Sequence, residues 1–364
     1  MKKKLIIFNP SIEDGGVEKN LFLITNYLAN KIPSLILITS SIDKKKFFSK
    51  RIVFSVIYFK FFDYFKRYPK YFFCILLLIF NIIKYKRKVI VLAFQANIYA
   101  IIISKLLGVC IITRSNTSPR GWNKTLIKQL IFKFFFKKAD LIIVNSIQFK
   151  RQMDRAYSIK SKVILNPFDF NHIKKKSLEK INYNFYKKNY LKLINIGRLV
   201  DQKDQLTILK AVNYALKKNK KVQLLIIGKG EKKRELKEYI KKNNLSKNIK
   251  LIGYKINPFK YIKASDIFIL SSKFEGLPNA LIESIFLKRA IISSDCPTGP
   301  DEILQNGKYG DLFNIGDYKT LGNMLINYKK DYKRINSAYK ICSNYSYEKN
   351  CNIYYKTIVP FLIN

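Results

Sequence analysis

Short uninterrupted apolar runs alternate with longer amphipathic ones along most of the chain. Leu5–Phe8, Leu35–Thr39, Val53–Tyr58, Val89–Ala93, Ile111–Arg114 and Leu141–Asn145 are runs of the first kind. They are apolar at successive rather than alternate positions, as parallel strands buried on both faces are. Helical stretches separate them, the first being Val17–Asn30 behind a Gly15-Gly16 loop. The pattern pauses near Asn166-Pro167, where a lysine-rich polar stretch, Lys174–Lys188, intervenes. It then restarts with strand Leu191–Gly197, helix Asp204–Lys218, strand Val222–Ile227 and helix Glu231–Asn243. Strands Ile249–Gly253, Ile267–Ser272 and Ala290–Ser293 follow, with a helix from Ala280 to Leu287. Strands alternating with helices predict an α/β protein with parallel sheets covered on both faces. At 364 residues the chain suits two such domains.

Composition sharpens this in three ways. Hydrophobic content of 48% with 14% aromatic residues excludes general disorder. The net charge of +45 comes mostly from lysine. Lysine, isoleucine, asparagine, phenylalanine and tyrosine are all frequent, as an AT-rich coding bias would produce, so the charge reads either as drift on a solvated surface or as a match to an anionic partner. The basic residues interleave with bulky apolar ones in Lys44–Lys88 and Asn123–Lys138, which fits an anionic membrane surface better than a specific nucleic acid. The competing reading of these segments is core packing with a snorkelling lysine rim. Tyr71–Ile83 is too short to span a bilayer, and the amino-terminal apolar run reads as a strand rather than a leader, so no transmembrane helix is predicted. The 5 scattered cysteines form no C-x-x-C pair, which argues for a reducing compartment.

The residue types restrict the chemistry further. His172 is the only histidine, which nearly excludes Ser-His-Asp hydrolysis and histidine-rich metal sites. No D-x-D and no G-x-x-x-x-G-K-[ST] is present, and Gly228-Lys229-Gly230 lacks the third glycine of a dinucleotide fingerprint. The informative stretch is Phe274-Glu275-Gly276-Leu277-Pro278-Asn279-Ala280-Leu281-Ile282-Glu283. It places carboxylates on both sides of a strand-to-helix turn, and helix-opening amides are a seat for phosphate. Glu283 is placed to meet a ribose diol and Glu275 a sugar. Arg198 and Lys203 follow the strand ending at Gly197, where ligands of open α/β sheets bind, and two such cations can stabilise a departing diphosphate. Alone they would read as two surface cations of a basic protein; with the Glu275 turn they read as a nucleotide-sugar site. No metal site and no cofactor is expected, the nucleotide sugar being a substrate.

These residues resemble family 4 glycosyltransferases of the GT-B architecture, the "glycosyl transferases group 1". Gly15-Gly16-Val17-Glu18 is similar to the family's amino-terminal glycine loop, and Ile196-Gly197-Arg198-Leu199 with Gln202-Lys203 to its G-R-L-x-x-x-K segment. Leu224–Gly230 and Leu251-Ile252-Gly253-Tyr254 resemble the strands around the base pocket, Glu275–Glu283 the E-x7-E signature, and Asn166-Pro167 the domain crossover. The agreement is dense from about residue 160 to 305 and thin before it. The resemblance implies two Rossmann-like domains facing each other across a cleft. Residues 1–167 would bind acceptor, 168–340 the nucleotide sugar, and a carboxy-terminal helix within 341–364 would return to the first domain. The implied activity is metal-independent, retaining transfer of a hexose or N-acetylhexosamine, UDP-linked in its donor, to a lipid-linked or lipopolysaccharide glycan acceptor.

By the same resemblance Arg198, Lys203 and Glu275 are the catalytic group. Gly16, Gly197, Gly228, Tyr254, Gly276, Leu277, Pro278, Asn279, Ala280 and Glu283 would line the donor. The turn Cys296-Pro-Thr-Gly-Pro-Asp-Glu302 stands where many relatives carry Gly-Gly-x-x-Glu. Many relatives also carry a histidine near the donor sugar where this chain reads Thr113-Arg114-Ser115-Asn116, so Glu18, Arg114 and Asn116 become the acceptor-side candidates and the general base stays open. The expected location is the cytoplasmic side, peripheral on the inner face of the membrane. The rival readings are a nucleotide-sugar epimerase or phosphorylase of the same fold, and a catalytically inactive binder of membranes or polyanions.

Overall fold

The computed structural model describes residues 3–12, 16–58, 67–115, 125–181 and 185–363. Two compact units emerge: Met1–Phe168 together with Asn344–Asn364, and Asp169–Ser343. In the first, strands β1 (Lys4–Phe8), β2 (Leu35–Thr39), β3 (Val53–Val56), β4 (Val89–Ala93), β5 (Cys110–Arg114), β6 (Leu141–Val144) and β7 (Lys162–Val163) form one parallel sheet. Its order is β3-β2-β1-β4-β5-β6-β7. Every residue of β2 and β4 is buried, which is why these segments read as unbroken apolar runs. The strand expected over Val53–Tyr58 stops at Val56.

The helices of this unit are α1 (Gly16–Lys31), α2 (Arg67–Lys84), α3 (Asn97–Leu106), α4 (Leu126–Phe136) and α5 (Ile147–Tyr157). Parallel crossovers are right-handed, and the strand order reverses direction at β1, so α1 and the later helices must lie on opposite faces. The cores agree: Leu21, Ile24 and Leu28 of α1 pack in one cluster, whereas Cys74, Leu78 and Ile82 of α2 join Ala100, Phe136 and Phe149 in another.

The second unit begins with α6 (Phe170–Ser177) and β8 (Leu191–Ile196). There follow α7 (Gln205–Lys217), β9 (Val222–Ile227), α8 (Lys233–Lys242), β10 (Ile249–Leu251), α9 (Phe259–Lys263) and β11 (Ile267–Leu270). It ends with α10 (Asn279–Phe286), β12 (Ala290–Ser294), α11 (Pro300–Leu304), β13 (Asp311–Phe313), α12 (Tyr318–Ile326) and α13 (Tyr332–Lys340). The sheet order β10-β9-β8-β11-β12-β13 again reverses, here between β8 and β11. Helix α6 occupies part of the stretch expected to be a polar linker. Asp169 caps it by accepting from the His172 amide at 2.9 Å, and Ile173 with Ser177 faces inward beneath a rim of lysines.

After α13 the chain re-enters the first unit as α14 (Tyr347–Ile363). Cys351, Tyr354, Ile358 and Leu362 form a stripe at helical spacing that packs on the stripe of α1. The two chain crossings pair directly, with Phe168 N–H donating to Tyr345 O at 2.9 Å and Tyr347 N–H to Phe168 O at 3.1 Å. Beneath them lies Arg114, which is 1% exposed. Its Nε donates to Tyr354 Oη at 2.7 Å, its Nη2 donates to Asn166 Oδ1 at 2.6 Å, and its guanidinium lies 5.3 Å from the Phe94 ring centre. Burial pushes the Tyr354 phenol up while Arg114 draws it back, so the hydroxyl stays neutral and accepts from the cation. Strand β5, the crossover and the terminal helix are thereby bound to one planar group.

All five cysteines are free. Burial pushes Cys74, Cys296 and Cys342 up to about 12; Cys110 reaches about 12 through burial and the neighbouring Asp140, and Cys351 also rises. A raised thiol value means that the nucleophilic thiolate is scarce at neutral pH and gains population only as pH climbs toward that value.

Two outcomes are expected. Tyr354→Phe leaves Arg114 Nε without this partner, and a hydrogen bond to a charged group contributes about 1.5–3 kcal/mol; amide exchange in α14 should accelerate, and an unchanged rate would show that the bond holds nothing. In the second, iodoacetamide at pH 8 should label the native protein slowly and the urea-unfolded protein at all five cysteines, as counted by intact mass. Rapid labelling of the native fold would contradict the burial.

Candidate active site

In open parallel sheets, ligands bind beyond the carboxyl ends of the strands where the order reverses. In the second unit that point lies between β8 and β11. Gly197 and Arg198 follow β8, and the segment Ser271–Glu275 follows β11. The four charged residues Arg198, Lys203, Glu275 and Glu283 therefore lie in the loops and the helix that leave these two strands.

Arg198 is exposed, while Lys203 closes a 3-10 turn, Asp201–Lys203, whose position is fixed from several sides. The Lys203 carbonyl accepts from Ser271 Oγ at 2.8 Å, and its amide donates to Val200 O at 3.0 Å. Its aliphatic stem runs over Gly197, where an added Cβ would lie 3.6 Å from Lys203 Cδ. Lys203 Nζ forms an ion pair with Glu275 Oε1. Glu275 is 6% exposed, and the same oxygen accepts from Ser272 Oγ at 2.5 Å. A buried carboxylate is tolerated only when charge and hydrogen bonds replace its water, which these two groups do.

The loops are stitched together along their length. Gln202 Nε2 donates to Phe274 O at 2.8 Å, Lys273 N–H donates to Gln202 O at 2.8 Å, and Lys273 Nζ pairs with Asp201 at 2.8 Å. That ammonium holds the Asp201 carboxyl below its ordinary range. From below, Thr298 Oγ1 donates to the Glu275 carbonyl. Thr298 carries φ +65° and Gly299 φ +90°, a left-handed pair that turns the chain under the Glu275 loop. A Cβ at Gly299 would come within 2.6 Å of Gly276 O and 2.7 Å of Pro278 Cδ, so only glycine fits. A β-branched residue at positive φ stores strain, and strain of this kind gathers where geometry is over-determined. Burial and the nearby Glu275 charge together raise the Cys296 thiol, which removes it as a nucleophile.

On the β9 side, Gly228 comes so close to Gly197 that a Cβ would overlap Gly197 O at 1.8 Å. Leu199 N–H donates to Lys229 O at 2.9 Å, and Gly228 N–H donates to Gly253 O at 3.0 Å. Tyr254 follows with its side chain exposed and Lys229 Nζ 5.3 Å from its ring centre. Pro278 flanks the start of α10 in an extended conformation, and Leu277, Pro278 and the partly exposed Asn279 and Ala280 form its approach. Glu283 lies one turn into α10 and is 3% exposed. Among the described residues no three His, Cys, Asp or Glu side chains gather as a metal site. His172 is exposed on α6, its ring edge-on to Phe259.

The first-unit candidates separate. Gly16 opens α1 and Glu18 lies in its first turn, half-buried. Asn116 and Gly15 lie outside the described residues. Arg114, expected on the acceptor side, is buried and spends two of its donors on Tyr354 and Asn166, so its visible work is to hold the terminal helix. Two side chains that touch Glu275, Ser272 and Thr298, were missed by sequence reasoning. Nothing in a serine at a strand end marks a carboxylate partner, and nothing in a threonine between Pro297 and Gly299 marks a donor to the Glu275 carbonyl.

Comparison with known proteins agrees with this layout. Residues 177–349 match the family model described as "Glycosyl transferases group 1". An uncharacterized glycosyltransferase of Methanocaldococcus jannaschii is 39% identical over 181 residues, 48% of this chain and 44% of that protein. A Campylobacter jejuni enzyme named N-acetylgalactosamine-N,N'-diacetylbacillosaminyl-diphospho-undecaprenol 4-alpha-N-acetylgalactosaminyltransferase is 30% identical over 219 residues, 59% of this chain and 58% of that one. The chain thus spans about half the length of the curated relatives it matches. The crystal structure of Anabaena HepE in complex with UDP superposes with a TM-score of 0.79 at 15% identity, covering 98% of this chain and 100% of that one. Two parallel sheets of this order and a terminal helix on α1 give the chain the GT-B fold, and its second unit, which carries the E-x7-E turn, is similar to the glycosyl transferases group 1 family.

Proposed function

We propose that this protein is a retaining glycosyltransferase that moves a hexose or N-acetylhexosamine from a UDP-linked donor to a lipid-linked or lipopolysaccharide glycan. The observation that carries the reading is the group Arg198, Lys203 and Glu275 at the sheet's switch point, two cations and a buried carboxylate on stitched loops. The UDP in the Anabaena structure and the undecaprenyl diphosphate in the name of the Campylobacter relative support the donor and acceptor classes. The second unit takes the donor and the first supplies acceptor-side groups.

In this reading the diphosphate lies against Arg198 and Lys203, and the amides of Gly276–Ala280 face its sugar side. Glu283 accepts from the ribose hydroxyls, and the exposed Tyr254 ring flanks the base. Lys203 turns part of its charge from Glu275 to phosphate, which leaves Glu275, still held by Ser272, ready to accept from a sugar hydroxyl. The bond from the anomeric carbon to the phosphate oxygen breaks as the acceptor oxygen bonds to the same face of that carbon. The acceptor proton passes to the departing diphosphate, so no side-chain base is required. Negative charge grows on the leaving oxygen, where fixed cations act most strongly in the transition state. Two such cations supply the charge that a metal ion supplies elsewhere.

Three outcomes test this. Arg198→Ala should lower turnover on the order of a hundredfold, about 3 kcal/mol, without altering the fold, because the side chain is exposed. Lys203→Ala should do the same and also lower thermal stability, since it strands a buried carboxylate. Near-normal turnover in either variant would remove that residue from the site. Second, Glu283→Ala should weaken UDP binding in calorimetry, whereas Glu275→Ala should reduce turnover more than UDP affinity; equal losses of affinity with unchanged turnover would refute the division of roles. Third, a chelator should leave transfer intact in a screen of nucleotide-sugar donors, and strong inhibition by EDTA would overturn the metal-free reading.

A further inference from the structure

Helices α2, α3 and α4 form one layer on the first sheet, with α2 packed on α3 and α3 on α4. Their inner faces hold the core, and α2 and α4 each carry a second apolar face that no described residue covers. On α4, Leu126, Leu130 and Phe134 repeat every fourth residue and are 77%, 65% and 57% exposed. On α2, Phe72, Phe80 and Ile83 are exposed to a similar degree. Phe136, by contrast, points into the core, so the aromatic run at the end of α4 serves both faces. An apolar stripe of this size on a surface signals a partner.

The charge around the stripe identifies that partner's chemistry. Neither α2 nor α4 contains an acidic residue. Exposed Lys84, Lys86, Arg87 and Lys88 follow the α2 face, and Lys128, Lys137 and Lys138 border the α4 face. Lys138 Nζ lies 4.8 Å from the Phe134 ring centre and Lys84 Nζ 5.8 Å from that of Phe80, so cation and aromatic form one unit at each site. A second copy of the same face would set lysine against lysine. Leucine and isoleucine offer no stacking platform to nucleobases. Apolar side chains that enter acyl chains beneath a ring of lysines that meets phosphate match an anionic phospholipid bilayer.

We infer that the α2–α4 face docks this protein on an anionic membrane surface, with Leu126, Leu130, Phe134 and Phe80 entering the interface. No helix among the described residues is long and apolar enough to cross a membrane, so the attachment is peripheral. The inference stands on the first unit alone and does not depend on the reaction proposed above.

The full chain is tested by sedimentation with vesicles of phosphatidylcholine alone and with about 30% phosphatidylglycerol, the anionic component on which the lysine attraction depends. Binding should favour the anionic vesicles on the order of tenfold at ~0.1 M salt and fall at ~1 M, where the Debye length shrinks to about 3 Å. A remainder should persist at high salt, and Leu126→Ser with Leu130→Ser and Phe134→Ser should abolish it. Lys128→Glu with Lys137→Glu and Lys138→Glu should cut low-salt binding on the order of tenfold. The matching change on α8 of the second unit, Lys237→Glu with Lys241→Glu and Lys242→Glu, should leave it close to wild type. Phe134→Trp should shift its emission to the blue on anionic vesicles. Equal losses from the α4 and α8 variants would mean diffuse attraction to a basic protein and overturn the assignment, as would no binding at low salt. Concentration-dependent dimers in ultracentrifugation that the serine variant dissolves would also overturn it, in favour of a second copy.

Discussion

The second unit's site depends on one ion pair. Glu275 is almost wholly removed from water, and a carboxylate in that position is destabilising unless its lost hydration is replaced. Lys203 and Ser272 replace it, and both reach Glu275 only because the loop after β8 and the loop after β11 are stitched side by side. The strands, the glycine contacts and the Thr298 turn all serve that closeness. In the transfer proposed above, charge held in place in a poorly hydrated turn is what the separation of charge would draw on.

The close approaches follow from the topology. Where a parallel sheet reverses its order, two strands end side by side, and here the segments that leave β8 and β11 stay hydrogen-bonded to each other beyond the sheet. Beside them, Gly228 after β9 comes so close to the Gly197 carbonyl after β8 that no side chain fits at Gly228. Thr298 adopts a left-handed conformation, and its hydroxyl is thereby turned to the Glu275 carbonyl. The local cost is the strain of that residue; the return is a rigid floor beneath the turn that carries the carboxylate.

The large positive charge divides into groups with different physics. Lys203 is held in a half-buried pair, where a low local dielectric makes its charge count. Arg114 is buried with neutral partners and works as a fastener. The lysines around α2 and α4 are solvated and screened, and they exert force only on a surface that is itself charged. Composition sums these together, and only burial distinguishes them.

The fold was legible where local pattern and final environment coincide. Strands such as Val89–Ala93 and Val222–Ile227 are buried on both faces, so their composition alone announces them. The Glu275–Glu283 turn was legible because proline, glycine and two carboxylates have few other reasons to share that spacing. Two short strands were not: β7 is Lys162–Val163 and β13 is Asp311–Phe313, and both exist because a neighbouring strand offers them hydrogen bonds. Helix α6 was hidden by its lysines, since a short helix with two inward residues leaves almost no periodic signal. The identity of Glu275's partners, the burial of Arg114 beside a helix some 240 positions away in sequence, and the choice of which face of α4 meets solvent were decided by the tertiary structure. Each depends on what the rest of the chain brings alongside, and a residue's own neighbours in sequence carry no record of that.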